Sequence, residues 1–292
     1  MPYLRRVYRL NAELEESLVA DLWQAGTLGV STESEPDGRL RLTAWFEPAA
    51  APPAAGIECC SEDELPDTDW MAEYRRRAVP FPLGRRLLID PREPEEAETA
   101  AAVPAGRRLL RLPARTAFGI GSHESTFLAL ALLEEAEFAG RAVLDVGTGT
   151  GILAFAALAW GAARVVAFDA DPVAVLQARA NSRLNDLHPL LFAGRAAALG
   201  PRGGAGPFDL VVVNVVPEEI LPDLADLLPL LAPGGTLILS GLLAVRAAEV
   251  TARLAAWGLR ETGETGRALG AGDSGRRSRS EWTALRLSRT RP

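Results

Sequence analysis

The sequence predicts an α/β fold: a doubly wound, mostly parallel sheet with a small N-terminal α+β domain before it. Three features lead there. The first is Val143-Leu144-Asp145-Val146-Gly147-Thr148-Gly149-Thr150-Gly151, an apolar run ending in an acid, then three alternating glycines, then an apolar helical pattern from Ile152. That reads as a strand, a tight turn and a helix start, where backbone can approach a nucleotide-like ligand closely. The second is the alternation of strand-like and helix-like segments from Pro113 onward. The third is the stretch 210–213, nearly pure valine, as expected for a parallel strand covered on both faces.

Three zones follow along the chain. Residues 1–66 read as the α+β module. Within it, Tyr3–Leu10 forms a strand, and Asn11 is placed to cap a helix whose Leu14, Leu18 and Leu22 share one stripe and which stops at Gly26. Arg39–Phe46 alternates, with Leu40, Leu42, Ala44 and Phe46 on one face. The alanine- and proline-rich run 49–56 reads as a loop. Residues 67–112 read as a connecting segment that carries Trp70, Tyr74 and three successive arginines, Arg75 to Arg77. Short strands are expected there near 87–89 and 108–111.

Residues 113–292 form the main domain. Its expected elements are helix 122–138, strand 142–146, helix 152–160, strand 164–168, helix 172–185, strand 210–213, helix 218–231, strand 236–240, helix 243–257 and strand 282–287. In such sheets ligands lie at the carboxyl ends of the strands.

Composition bounds the function. The 292 residues, 48% hydrophobic and 24% charged, can bury a sizeable core and are not those of a disordered chain. The net charge of −7 disfavours nucleic acid and suits a basic partner. All the basic residues are arginine, so the chain has no lysine of its own to be modified. The adjacent Cys59 and Cys60 cannot build a disulfide framework, and no cysteine or histidine cluster has metal-ligand spacing. The arginines near the N-terminus are not followed by an apolar core, and the longest apolar stretch is broken by Gly161 and Arg164. A cytoplasmic protein, neither secreted nor membrane-spanning, is expected.

The glycine spacing narrows the ligand. A dinucleotide fingerprint requires Gly-x-Gly-x-x-Gly, and here the third glycine falls one residue early. Alternate glycines with an acid two residues before the first suit S-adenosyl-L-methionine better than NAD. Asp169 ends the second main strand, 169 − 147 = 22 residues after Gly147, near the roughly 20 expected of an acid that grips ribose hydroxyls. Asp171-Pro172 already supplies a helix cap and a first-turn proline, which leaves Asp169 for another task. Asp145 can meet a cationic amino group of the cofactor or accept N–H bonds from the glycine loop, and both roles stay open. Asn214 ends the valine strand, where its side-chain oxygen can accept from an amine; a turn signal is the alternative. The segment 117–126 reads as a loop able to close over a ligand, and its His123 reads as a structural hydrogen bonder. The arginines within 270–280 read as a solvated hairpin loop, because no aromatic residues interleave them.

With these residues in view, the chain from Asp67 onward resembles the ribosomal protein L-eleven methyltransferases (PrmA type), class I S-adenosylmethionine-dependent enzymes with a Rossmann-like fold. The resemblance rests on Ala117-Phe118-Gly119-x-Gly121-x-His123-x-x-Thr126, on Asp67-Thr68-Asp69-Trp70 with Pro80-Phe81 and Leu87-Leu88-Ile89, and on Asn214 at a strand end. It implies cofactor contacts at Thr126, Gly147, Asp169 and Asn214, beside Asp145, Gly149 and Gly151 of the glycine turn, and a covering loop at Phe118 and Gly119. It implies methyl transfer to amino groups of a basic ribosomal protein, with Asn214 as the catalytic group and the N-terminal module recognising the substrate. Departures are Ile120 and Ser125 where threonine is usual, Asn-Val-Val-Pro at the strand end, and a short run at 48–56 in place of a second N-terminal helix. Two alternatives remain: a class I methyltransferase with another protein or small-molecule acceptor, and a non-catalytic cofactor-binding module.

Overall fold

A computed structural model describes residues 3–35, 37–47, 59–65, 78–95, 102–113, 123–136, 140–200, 206–265 and 282–290. The chain forms two compact units, Met1–Glu73 and Tyr74–Pro292.

In the first unit, β1 (Tyr3–Leu10), β2 (Gly29–Ser34), β3 (Leu40–Phe46) and β4 (Cys59–Leu65) form an antiparallel sheet in the order β2-β3-β1-β4. Helix α1 (Glu15–Gln24) covers one face. Alternation puts Leu4, Tyr8 and Leu10 of β1 and Leu42, Ala44 and Phe46 of β3 against Leu18 and Leu22 of α1. Arg6 shares that buried face, with Nε donating to Glu62 at 2.7 Å and the guanidinium stacked over Phe46. Asn11 does not cap α1 with its side chain. Its carbonyl instead accepts the Leu14 N–H in a 3-10 turn over Ala12–Leu14, and Leu14 is left largely exposed. Gly26 ends the helix as expected. At φ +82° it lets its own N–H reach Trp23 and the Thr27 N–H reach Leu22, a Schellman closure.

The second unit opens with a small sheet: β5 (Phe81–Leu83) and β6 (Leu87–Asp90) are antiparallel, and β7 (Arg108–Arg111) runs parallel to β6. Leu83, Leu87, Ile89, Leu110 and Leu112 join the core beneath α2 (Glu124–Glu134) and α3 (Ile152–Ala159). The described part of 67–112 is therefore built into the second unit's core and is not a free connector. Trp70, Tyr74 and Arg75 to Arg77 lie outside the described residues.

The main sheet has the order β10-β9-β8-β11-β12-β14-β13. Its strands are β8 (Ala142–Val146), β9 (Arg164–Asp169), β10 (Leu190–Ala193), β11 (Phe208–Asn214), β12 (Leu231–Leu243), β13 (Leu259–Thr265) and β14 (Trp282–Arg289). The first five in spatial order are parallel, and β14 is antiparallel to both its neighbours. This is the doubly wound, mostly parallel α/β fold expected of the sequence. Val143, Val165, Val212 and Ile238 face α2 and α3. The alternate residues Leu144, Val166, Val211 and Leu239 face the opposite layer, which includes α7 (Ala247–Ala255). Helix α4 (Pro172–Asn185) connects β9 to β10 and starts as the sequence predicts, with the Asp171 side chain accepting from the Val173 N–H at 2.8 Å and Pro172 in the first turn.

One predicted helix is broken. The leucine-rich stretch 218–231 folds as α5 (Pro217–Ile220), a 3-10 turn, α6 (Leu224–Leu227), a second 3-10 turn, and then the start of β12. Pro222 and Pro229 lack the N–H a continuous helix needs, and their rings clash with the preceding turn. Strand β12 begins at Leu231, five residues before its expected start, and the Pro233-Gly234-Gly235 segment is absorbed as an irregularity in its pairing with β11. The arginine-rich segment 270–280 lies outside the described residues.

Ile89 is fully buried in the core shared with α2 and α3. Ile89→Ala is expected to destabilise the second unit by about 2–5 kcal/mol, read as a lower urea midpoint of that unit's transition.

Candidate functional site

The site is built at the carboxyl ends of β8 and β11, neighbours in the sheet and the point where strand order reverses. Between β8 and α3 the chain turns through Gly147, Gly149 and Gly151, all at positive φ (+69°, +54° and +89°). The N–H groups of Gly147 and Thr148 share the Phe168 carbonyl at 2.9 and 3.0 Å, which folds the turn over the end of β9. The Gly149 N–H donates to Asp169 Oδ2 at 2.9 Å. Asn181 of α4 donates to the Thr150 carbonyl at 3.0 Å.

Glycine is required at 147 for a second reason. A Cβ there would run into Cγ1 of Val215. Val215 directly follows Asn214, so this contact joins the glycine turn to the end of β11. Gly241, just past Ser240 of β12, is held the same way: its Cβ would lie 2.6 Å from the Val215 carbonyl, and its φ is +79°. Sequence reasoning missed Val215 and Gly241. The one available signal was a glycine inside an otherwise apolar strand pattern.

Asp169 is half-buried, and to the ligand role the sequence leaves it the structure adds a bracing one. Its Oδ2 accepts from Gly149 and its Oδ1 from the Asp171 N–H at 3.0 Å. Each carboxylate oxygen has capacity for a further donor. Of the two roles open to Asp145, the structure shows the bracing one. Asp145 is fully buried, and its Oδ2 accepts from the Thr148 hydroxyl at 2.7 Å and from the Ala154 N–H at 3.1 Å, while Oδ1 has no partner.

At the end of β11, Asn214 meets Thr126, which lies 88 positions away in the sequence. Asn214 Nδ2 donates to Thr126 Oγ1 at 3.2 Å, and Asn214 Oδ1 is buried without a partner. His123 is structural, as expected: its Nδ1 accepts the Ser125 N–H at 3.2 Å and caps α2, and its ring meets Trp282 edge-on at 4.9 Å. The structure thus gathers Thr126, Asp145, Gly147, Gly149, Gly151, Asp169 and Asn214 at the carboxyl ends of β8, β9 and β11. Phe118 and Gly119 lie outside the described residues.

Residues 51–265 match the family model described as Ribosomal protein L11 methyltransferase (PrmA). The chain belongs to this family. A ribosomal protein L11 methyltransferase of Geobacter metallireducens is 39% identical over 204 residues, 70% of this chain and 62% of that protein. One from Synechococcus elongatus is 36% identical over 267 residues, 84% of this chain and 87% of that protein. The crystal structure of a ribosomal protein L11 methylase from Lactobacillus delbrueckii subsp. bulgaricus superimposes with a TM-score of 0.60 at 31% identity, covering 72% of this chain and 98% of that one. The chain spans about 60% of the length of several curated relatives: 62% of the Geobacter protein and 57% of one from Pelobacter propionicus.

In this PrmA-family site the electrostatics centre on Asp145. Burial pushes its carboxyl up to about 7, and the nearby Asp169 adds to the rise; the bonds from Thr148 and Ala154 oppose it. The folded state therefore holds a proton that the unfolded chain releases near its ordinary 3.8. Stability contributed by this proton is present below pH 4 and is lost as pH rises to 7. Asp145→Asn cannot titrate. Its stability relative to the parent is expected to climb by up to about 4 kcal/mol between pH 4 and 7 and to stay level above, in urea unfolding at a series of pH values. Gly147→Ala is expected to lose binding of S-adenosylhomocysteine in calorimetry, because the added methyl displaces Val215 and residue 147 must hold a left-handed backbone.

Proposed function

We propose that this chain is an S-adenosylmethionine-dependent protein methyltransferase that transfers methyl groups to amino groups of ribosomal protein L11, at lysine ε-amines, at the N-terminal α-amine, or at both. The reading is carried by Asn214 Oδ1, a buried amide oxygen with no partner at the carboxyl end of β11, beside a turn that a Cβ at residue 147 would obstruct. Family membership and the named relatives support it.

The residues present fit the cofactor. Exposed capacity on Asp169 suits ribose hydroxyls, and the positive-φ glycines leave backbone bare for close approach. When bound, S-adenosylmethionine supplies a methyl already activated on a sulfonium. The protein's task is then mainly positioning, which can be worth about 7–11 kcal/mol. In this reading Asn214 Oδ1 accepts an N–H of the incoming amine and turns its lone pair toward the methyl, while Thr126 holds the amide. A lysine ammonium near pKa 10.4 costs roughly 4 kcal/mol to deprotonate at pH 7.4, and burial beside a cation lowers that cost. No strong base is required for the transfer. Phe118 and Gly119 cover the cofactor in this reading, and the N-terminal unit recognises the substrate. A net charge of −7 suits a basic ribosomal protein over nucleic acid, and the work is done in the cytoplasm. Among the described residues no helix is long and apolar enough to cross a membrane.

Asp169→Ala is expected to weaken S-adenosylhomocysteine binding about 10- to 100-fold in calorimetry. Asn214→Ala is expected to slow transfer by a similar factor at saturating cofactor. Mass spectrometry of ribosomal proteins from cells with and without this chain identifies the acceptor: loss of methyl groups from L11 alone supports the reading, and an unchanged L11 mass refutes it.

A further inference from the structure

Asn214 of β11 and Ser240 of β12 are direct partners in a parallel pair, so their side chains leave the same face of the sheet. Both meet the first turn of α2, at consecutive residues. Asn214 Nδ2 donates to Thr126 Oγ1 at 3.2 Å, and Ser240 Oγ donates to the Ser125 carbonyl at 2.8 Å across 115 positions of sequence. Ser240 is fully buried and Thr126 nearly so. The same turn is capped by His123, whose ring abuts Trp282 at the start of β14. Three neighbouring strands therefore fix one helix end.

We propose that Ser240 is a positioning residue for methyl transfer, anchoring α2 so that the Thr126 hydroxyl locks the Asn214 amide with Oδ1 toward the acceptor. The inference rests on the reading of Asn214 as the acceptor-binding group. The physical reason is a difference in tightness. The Ser240 bond is at the usual O–H···O distance, whereas the Thr126–Asn214 bond is at the long end of the N–H···O range, so a shift of a few tenths of an ångström breaks it. An asparagine amide turns about a soft terminal torsion, and among the described residues no other hydrogen bond of its side chain holds its orientation once that bond is lost. Ser240 itself is one strand removed from the glycine turn: β12 pairs with β11 and β14, and β11 lies between it and β8. Its loss is expected to reach the cofactor only through Thr126 and Asn214.

The test uses the full-length chain with L11 as acceptor and S-adenosylhomocysteine as the binding probe. Ser240→Ala is expected to lower kcat about 3- to 10-fold at saturating cofactor, as loss of one indirect hydrogen bond does, and to weaken S-adenosylhomocysteine binding no more than Asn214→Ala does. The double variant with Asn214→Ala should be no slower than Asn214→Ala alone, because both changes act through the same amide. A full kcat in Ser240→Ala overturns the proposal, and so does a double variant slower by the product of the two single effects. If Asn214→Ala turns over at the parent rate, the reading of Asn214 itself has failed and takes this inference with it. A readout independent of any acceptor is the Asn214 side-chain amide signal in NMR, assigned by its absence in Asn214→Asp. It should shift and exchange faster in Ser240→Ala, and an unmoved signal refutes the positioning role. Should Ser240→Ala fail to fold, Ser240→Cys, close in shape and a weaker donor, is expected to show the same kcat loss in smaller degree, and a parent kcat there refutes the proposal.

Discussion

The site depends on one steric condition: residue 147 has no side chain, so Val215 can sit where a Cβ would be. That contact brings the turn after β8 against the segment after β11 at the point where the strand order reverses. Gly241 repeats the device against the Val215 carbonyl. The glycine turn, the segment after β11 and strand β12 thus pack through backbone and a single valine. The turn can then fold flat enough for two successive N–H groups to share the Phe168 carbonyl. Any larger residue at 147 would separate the glycine turn from Asn214 and with it the two halves of the site.

The two acids of the site divide the work by burial. Asp145 is sealed beneath the turn, where it bridges the Thr148 hydroxyl and the start of α3. Desolvation makes its charge costly, and its raised pKa follows from that. Asp169 remains half-exposed and braces the turn from the solvent side, so it can meet a ligand. Register underlies the difference: Asp145 lies beside Ala167 inside its strand, whereas Asp169 ends β9 two residues further on and keeps its exposure.

Much of the fold was legible because its signals are local. The strand–glycine–helix run, the Asp171-Pro172 start of α4 and the valine strand each appear within a dozen residues of sequence. The five strands that escaped notice, β2, β4, β5, β10 and β13, all lie at sheet edges. An edge strand is partly exposed, so polar residues dilute its alternation, as in Cys-Cys-Ser-Glu-Asp-Glu-Leu of β4. The 218–231 stretch misled in the opposite direction. Its leucine spacing suits a helix, and Pro222 and Pro229 forbid a continuous one. The segment 67–112 read as a connector because its strands are too short to declare the core they share with α2 and α3.

By itself, the sequence determined the architecture, the position of the glycine turn, the acid that ends β9 and the asparagine that ends β11, since each is set by neighbours close in the chain. Only the tertiary structure decided that Asp145 is sealed and Asp169 is not, that Val215 fills the space beside Gly147, and that Asn214 and Ser240 reach adjacent residues of α2. Those outcomes depend on strand order and register, which bring together groups up to 115 positions apart. No local pattern encodes that distance, because hydrophobic periodicity specifies which face a residue takes and leaves open what lies opposite it.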